Sequence, residues 1–263
     1  MPRFDGLVPF RARGFAPRDI PLAGVATLVG LVTLWQVVAS LGWISTAFLS
    51  DPLAIARAVW LLAKSGELWA HLAASLQRLA IGWAVGTVAG LALGLVVGLF
   101  TLARSPGMAV VSALFPIPKI ALVPLFIIWF GIGEGSKVVT LAFGVFFPTV
   151  ISTLSGIDGV PRALIRMGQA FNLSRRSIVL KIVLPGAMPA ILSGFRITTS
   201  TAIILLVAAE MIGAEKGIGA FVLEAGNLYD TDNLLAGIVL LSLIGLTTSW
   251  VIGLLERALL AWR

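Results

Sequence analysis

Apolar residues run through this chain in stretches of about twenty, broken by short polar segments, and twenty is the number a helix needs to cross the hydrocarbon core of a bilayer. The pattern predicts an all-α membrane protein with six spans, over about 23–43, 79–102, 108–130, 138–157, 189–212 and 234–255. Residues 23–263 read as a single membrane domain. Residues 1–22 carry Arg3, Arg11, Arg13 and Arg18 without an apolar core and read as a cytoplasmic tail. The apolar run that follows is too long for the h-region of a signal peptide.

The connections differ among themselves. After the first span Asp51-Pro52 marks a helix start, and Leu53, Ile55, Ala56, Val59, Trp60, Leu61 and Leu68 recur at helical spacing among Arg57, Lys64, Glu67 and His71. That spacing predicts an amphipathic helix over about 52–72, lying on the outer surface. In span two Gly82, Gly86, Gly90, Gly94 and Gly98 fall at every fourth position, a stripe free of side chains along which another helix can approach closely. Span three holds Pro116, Pro118 and Pro124 around Lys119, which predicts a kinked helix buried among its neighbours. Residues 161–184 carry Arg162, Arg166, Arg175, Arg176 and Lys181 and no acid. They are too polar to span and too helical in pattern for a mere linker, and read as a helical cytoplasmic loop.

Composition narrows the class. With 59% hydrophobic and only 12% charged residues, and a mean hydropathy of +1.03, the chain cannot build a water-soluble surface; soluble domains carry about 25% charged residues. A net charge of +7 would suggest nucleic acid in a soluble protein, but in a membrane protein it records orientation, because Lys and Arg collect on the cytoplasmic side. Twelve of the 19 Lys and Arg fall in the N-terminal tail, at Arg104, in the basic loop and at the C-terminus; five, Arg57, Lys64, Arg78, Lys137 and Lys216, fall on the other side. Both termini are therefore expected in the cytoplasm, with no nucleic-acid partner.

The chain has no cysteine, which excludes disulfides and thiolate metal sites, and His71 is the single histidine, too few for a metal cluster or a Ser-His-Asp triad. Gly133-Glu134-Gly135-Ser136-Lys137 has the wrong order for a P-loop, which needs Gly-Lys followed by Ser or Thr. No catalytic residue, metal or cofactor is expected on this chain.

Charges inside spans are costly and default to functional candidates, which singles out Lys119, Arg196 and Glu210. Lys119 is expected to face a pathway or cleft, Arg196 to face it or to snorkel inward, and Glu210 to sit at an outer gate or reach water. Ser193, Thr198 and Thr199 offer hydroxyls either to a path for a small anion or to their own backbone. On these residues alone an ion-coupled secondary transporter and a non-transporting scaffold with a lipid-binding loop both stay open.

The stretch RMGQAFNLSRRSIVLKIVLPGAMPAILSGFRI, Arg166 to Ile197, resembles the EAA loop of the membrane subunits of ABC importers. Aligned on Leu184-Pro185, Asn172 stands where that family has Gly, and Arg166, Met167 and Gly168 stand where it has Glu-Ala-Ala. The segments FPIPKIALVPLFIIWFGIGEGSK from Phe115, AAEMIGAEKGIGAFVLEA from Ala208 and LLERALLAW from Leu254 are similar to the permeases of nitrate, sulfonate, taurine and bicarbonate importers. The resemblance implies a type I ABC importer permease fold in a bacterial inner membrane. It implies a homodimer enclosing the solute path, two ATPase subunits that bind ATP and Mg²⁺, a periplasmic or extracellular solute-binding protein, and surrounding lipid. The residues it assigns to ATPase docking are Gly168, Gln169, Ala170, Phe171, Asn172, Leu173, Ser174, Arg175 and Arg176, with Leu184 and Pro185 at the exit. A small anion such as a sulfonate, taurine or nitrate is the implied substrate.

Overall fold

The structure, a computed structural model, describes residues 21–43, 45 and 48–261. Most of the tail read from residues 1–22, together with Arg263, lies outside them. The described chain is helical: α1 (Pro21–Ser40), α2 (Pro52–Ser65), α3 (Glu67–Leu99), α4 (Thr101–Leu114), a 3₁₀ turn (Lys119–Leu122), α5 (Val123–Phe130), α6 (Glu134–Asp158), α7 (Arg162–Ala170), α8 (Arg175–Ile178), a π turn (Val179–Val183), α9 (Leu184–Gly213), α10 (Ile218–Asn227) and α11 (Thr231–Leu259). Five of these helical stretches are long and apolar enough to cross a membrane, and α4 with the 3₁₀ turn and α5 passes the same test together as a bent pair, which as one span would make six.

Helix α6 is the centre of the bundle. Of its most apolar stretch 56% is buried, against 6% for α1. Leu141, Val145 and Val150 have no exposed surface. On one side α6 receives the glycine stripe of α3. A Cβ on Gly86 would lie 2.4 Å from the Ala142 carbonyl oxygen, and one on Gly90 2.7 Å from the Phe146 carbonyl oxygen, so any side chain would force the helices apart. The hydroxyls of Thr149 and Thr153 donate to the carbonyls one turn back, at 2.8 and 2.7 Å, and their carbons meet Gly90 and Gly94. On its other side α6 meets α9, where Gly156 and Gly194 make the same close approach, against Ala187 and Ser152. Close contact between small residues is what holds helices together where lipid removes most of the hydrophobic drive.

The predicted boundaries shift in four places. The helix expected over 52–72 is two helices, because Gly66 adopts φ +90° and ends α2, which Asp51 caps by accepting from the amides of Leu53 and Ala54. Ile55, Ala58 and Leu62 of α2 are buried in the main core, so α2 packs on the bundle as well as facing outward. Span two begins at Glu67, twelve residues earlier than expected. The segment expected over 108–130 is broken, not merely kinked: α4 and the 119–130 stretch meet at 86°. Pro116 and Pro118 have no amide to donate to the preceding turn, so the α-helix ends at Leu114, with Phe115 as its cap. Span five starts at Leu184 and continues without interruption from α8 through the π turn, making one helical rod from Arg175 to Gly213.

Candidate functional site

Two clusters at opposite ends of the bundle gather most of the polar chemistry. The first joins α3, α6, α9 and the α9–α10 connection. Arg78 donates from Nε and Nη2 to both oxygens of Glu134 at 2.6 Å each, and from Nη1 to Glu210 Oε1 at 2.8 Å and the Lys216 carbonyl at 2.6 Å. Glu210 also accepts from the Ser75 hydroxyl at 2.8 Å and the Gly219 amide at 2.8 Å, while Ser75 Oγ accepts from the Ile218 amide at 2.8 Å. The ring Nδ1 of His71 lies 2.9 Å from the Gly217 carbonyl oxygen and 3.1 Å from its amide nitrogen.

The side chain of Glu210 is fully buried and that of Arg78 nearly so, whereas Glu134 is mostly exposed. A buried carboxylate is tolerable only when paired and fully hydrogen-bonded, and Glu210 is both. The connection from Ala214 to Gly217 wraps over it, with Gly217 at φ +141°. A Cβ there would fall 2.4 Å from the Glu210 carboxyl carbon. The expectation that Glu210 reaches water is therefore corrected: the loop that follows it folds back and seals it. Sequence reading missed Arg78, Ser75 and Glu134 as members of this clasp. One signal was available, since the predicted spans put Arg78 and Glu210 at the same membrane face with opposite charge.

The second cluster is the basic loop. Helix α7 ends in a Schellman closure: the Leu173 amide donates to the Gly168 carbonyl at 3.0 Å and the Asn172 amide to that of Gln169 at 2.9 Å, with Asn172 at φ +52°. Asn tolerates this left-handed position best after Gly, which is why the chain turns here without one. Ser174 then caps α8, its Oγ accepting from the Ser177 amide at 3.2 Å. Gly168 is where the two short helices touch; a Cβ on it would lie 2.8 Å from Ile182 Cδ1. Beneath them Val160, Ile178 and Val183 form a small core with Leu99, Ile157, Ile165 and Ile182. The opposite surface exposes Arg162, Arg166, Gln169, Ala170, Arg175 and Arg176, and Phe171 stands 74% exposed at its tip. Leu184 and Pro185 open α9, so the loop is joined to that helix without a flexible break. Arg104 and Asp158 pair beside it at 2.6 and 2.9 Å, tying α4 to the end of α6.

The remaining candidates are dispersed. Thr198 and Thr199 are buried and both donate to the Phe195 carbonyl, at 3.0 and 2.8 Å, and Thr198 also accepts from Trp83 Nε1 at 3.2 Å. Their hydroxyls bond to the helix and its neighbour. Ser193 is exposed on α9. Arg196 forms an exposed ion pair with Glu256 of α11 at 2.8 Å. Lys119 lies in the break of the bent span, where its ammonium donates to the Phe115 carbonyl and sits 4.7 Å from the centre of the Phe115 ring.

Residues 86–261 match the family described as binding-protein-dependent transport system inner membrane component. The chain belongs to that family. This permease is 38% identical over 234 residues to the Escherichia coli K12 protein named as the aliphatic sulfonates transport permease SsuC, covering 89% of each chain. It is 35% identical to the taurine transport system permease protein TauC of the same strain, over 93% of this chain and 90% of that one. Its fold is that of a solved MetNI methionine ABC transporter in an inward-facing conformation, with a TM-score of 0.61 at 23% identity, over 76% of this chain and 96% of that one. The protein is thus a multi-pass inner-membrane permease subunit of an ABC importer with the type I fold, and it works with a separate ATPase and a binding protein. Membership sets aside the ion-coupled and scaffold alternatives, and it makes the chain a transport component, not an enzyme.

Proposed function

We propose that this permease pairs with a second copy to enclose a path for a small anion of the sulfonate or taurine class. Its α7–α8 lobe is then the dock for the ATPase, which binds ATP and Mg²⁺. The observation that carries this reading is the lobe itself: Phe171 and the arginines project from a unit braced by Gly168 and by its own core, and that unit continues without a joint into α9. Closure of an ATPase dimer pulls on the lobe as a solid lever, and α9 transmits the tilt to α6, against which it packs. Gly168 to Arg176 form the contact, and Leu184 and Pro185 set the angle at which the lever enters the span.

The lobe end and both termini lie in the cytoplasm in this reading, supported by the excess of Lys and Arg there. The clasp end faces the solute-binding protein, and annular lipid covers the apolar flanks. The substrate class rests on the relatives named above. Co-purification with the cognate ATPase tests the dock. Wild type retains the ATPase, and a Gly168→Arg, Asn172→Pro variant that remains folded loses it; retention by the variant overturns the assignment. Uptake of labelled taurine or an alkyl sulfonate into proteoliposomes holding the full complex tests the substrate.

A further inference from the structure

Among the described residues, three of the cations at the spans or their ends are paired with a carboxylate. Arg78 is paired with Glu134 and Glu210, Arg104 with Asp158 and Arg196 with Glu256. Lys137 is buried and donates to the Gly133 carbonyl at 3.1 Å. Lys119 has only the Phe115 carbonyl and the faces of two rings, Phe115 at 4.7 Å and Phe147 at 6.0 Å, and among the described residues no carboxylate pairs with it.

Its depth follows from Phe147, which stands 13 residues after the first residue of α6 and 11 before the last. At about 1.5 Å per residue Phe147 lies roughly 20 Å from one end of α6 and about 16 Å from the other, so the Lys119 ammonium, 6.0 Å from the centre of its ring, lies near the middle of that span. An ammonium ion there is costly unless it faces water or an opposite charge. The backbone around it points the same way. Pro116, Pro118 and the 86° bend leave irregular backbone at mid-depth, which is tolerated only where it is covered by protein or lines a water-filled cavity. Phe115 and Ile120, on either side of Lys119, are 41% and 47% exposed, so the protomer alone does not cover this face.

From these observations we infer that Lys119 is the anion-recognising residue of the transport path. Resting on the paired arrangement proposed above, one lysine from each copy meets the oxyanion head of the solute at mid-membrane, and the exposed side of Phe115 takes its apolar part. Lys119 holds the anion by charge and releases it when the two copies tilt apart. It takes no part in docking the ATPase, which lies at the far end of the span.

The test uses the full complex with ATPase and binding protein in proteoliposomes. Lys119→Gln is expected to assemble with the ATPase and the binding protein, while uptake of a labelled alkyl sulfonate falls at least tenfold; Lys119→Arg stays within about threefold of wild type. Uptake by Lys119→Gln within twofold of wild type overturns the inference. Failure of the wild-type complex to hydrolyse ATP in response to binding protein would instead strike at the proposed function. Because the chain has no cysteine, Lys119→Cys supplies a second reading that does not depend on transport. It is expected to react with an anionic methanethiosulfonate reagent in the assembled complex and to be protected by substrate. Absence of labelling with and without nucleotide overturns the inference as well.

Discussion

The two ends of the bundle use charge in opposite ways. At the clasp end Arg78 and Glu210 are buried, mutually paired and surrounded by donors from Ser75 and Gly219, so charge is part of the fold. At the lobe end Arg162, Arg166, Arg175 and Arg176 are all exposed, and the lobe is held by apolar contacts around Ile178 and Val183 and by a helix cap. Removing a charge from the first leaves its partner stranded in a medium that cannot solvate it; removing one from the second leaves water. Charge number says little about role, and accessibility decides it.

The largest break in this comparison is Glu210→Ala. It takes from the buried Arg78 one of its two carboxylates and leaves the Ser75 hydroxyl and the Gly219 amide without their acceptor, and is expected to cost about 3–5 kcal/mol, read as a lower melting temperature of the purified permease. Glu134→Ala, on the exposed limb of the same arginine, is expected to cost about 1 kcal/mol or less. Equal losses from the two would mean that the clasp is not organised by burial.

Gly168→Leu comes next, at about 1–3 kcal/mol, because the new side chain collides with Ile182 and Ile178. That cost is confined to the lobe. Limited trypsin digestion at the lobe arginines should accelerate, while the clasp variants leave it unchanged. Asn172 separates backbone from side-chain effects: Asn172→Val should cost about 1–2 kcal/mol through its left-handed φ, and Asn172→Gly should be neutral. The smallest effect on stability belongs to Arg175→Glu with Arg176→Glu. They should leave the melting temperature unmoved and weaken ATPase retention on an affinity column, increasingly so at low salt where charge is least screened.

Much of the architecture was legible in composition. The glycine stripe as a packing seam and the start of the basic lobe both rest on local rules, and the structure bears both of them out. The helix ends were less legible. Gly66 looked like one more residue within an amphipathic pattern, and only its φ of +90° divides α2 from α3. Three prolines around Lys119 read as a kink, but a kink and an 86° break differ in what the neighbours allow, not in the residues themselves. Glu210 was misjudged for a similar reason. Nothing in AAEMIGAEKGIG says that the glycines after it fold back to seal it.

What the sequence determined by itself is whatever depends on membrane thickness and on neighbours within a few residues: spans of about twenty apolar residues, their order, the charge imbalance between the faces, and the absence of cysteine chemistry. Tertiary structure alone decided which charges are enclosed and with whom. Arg78 and Glu210 stand 132 residues apart, and their pairing follows from how α3 and α9 both pack on α6. Transfer of an apolar segment into lipid is a sum over its own residues, whereas the solvation of a charge depends on everything that closes around it.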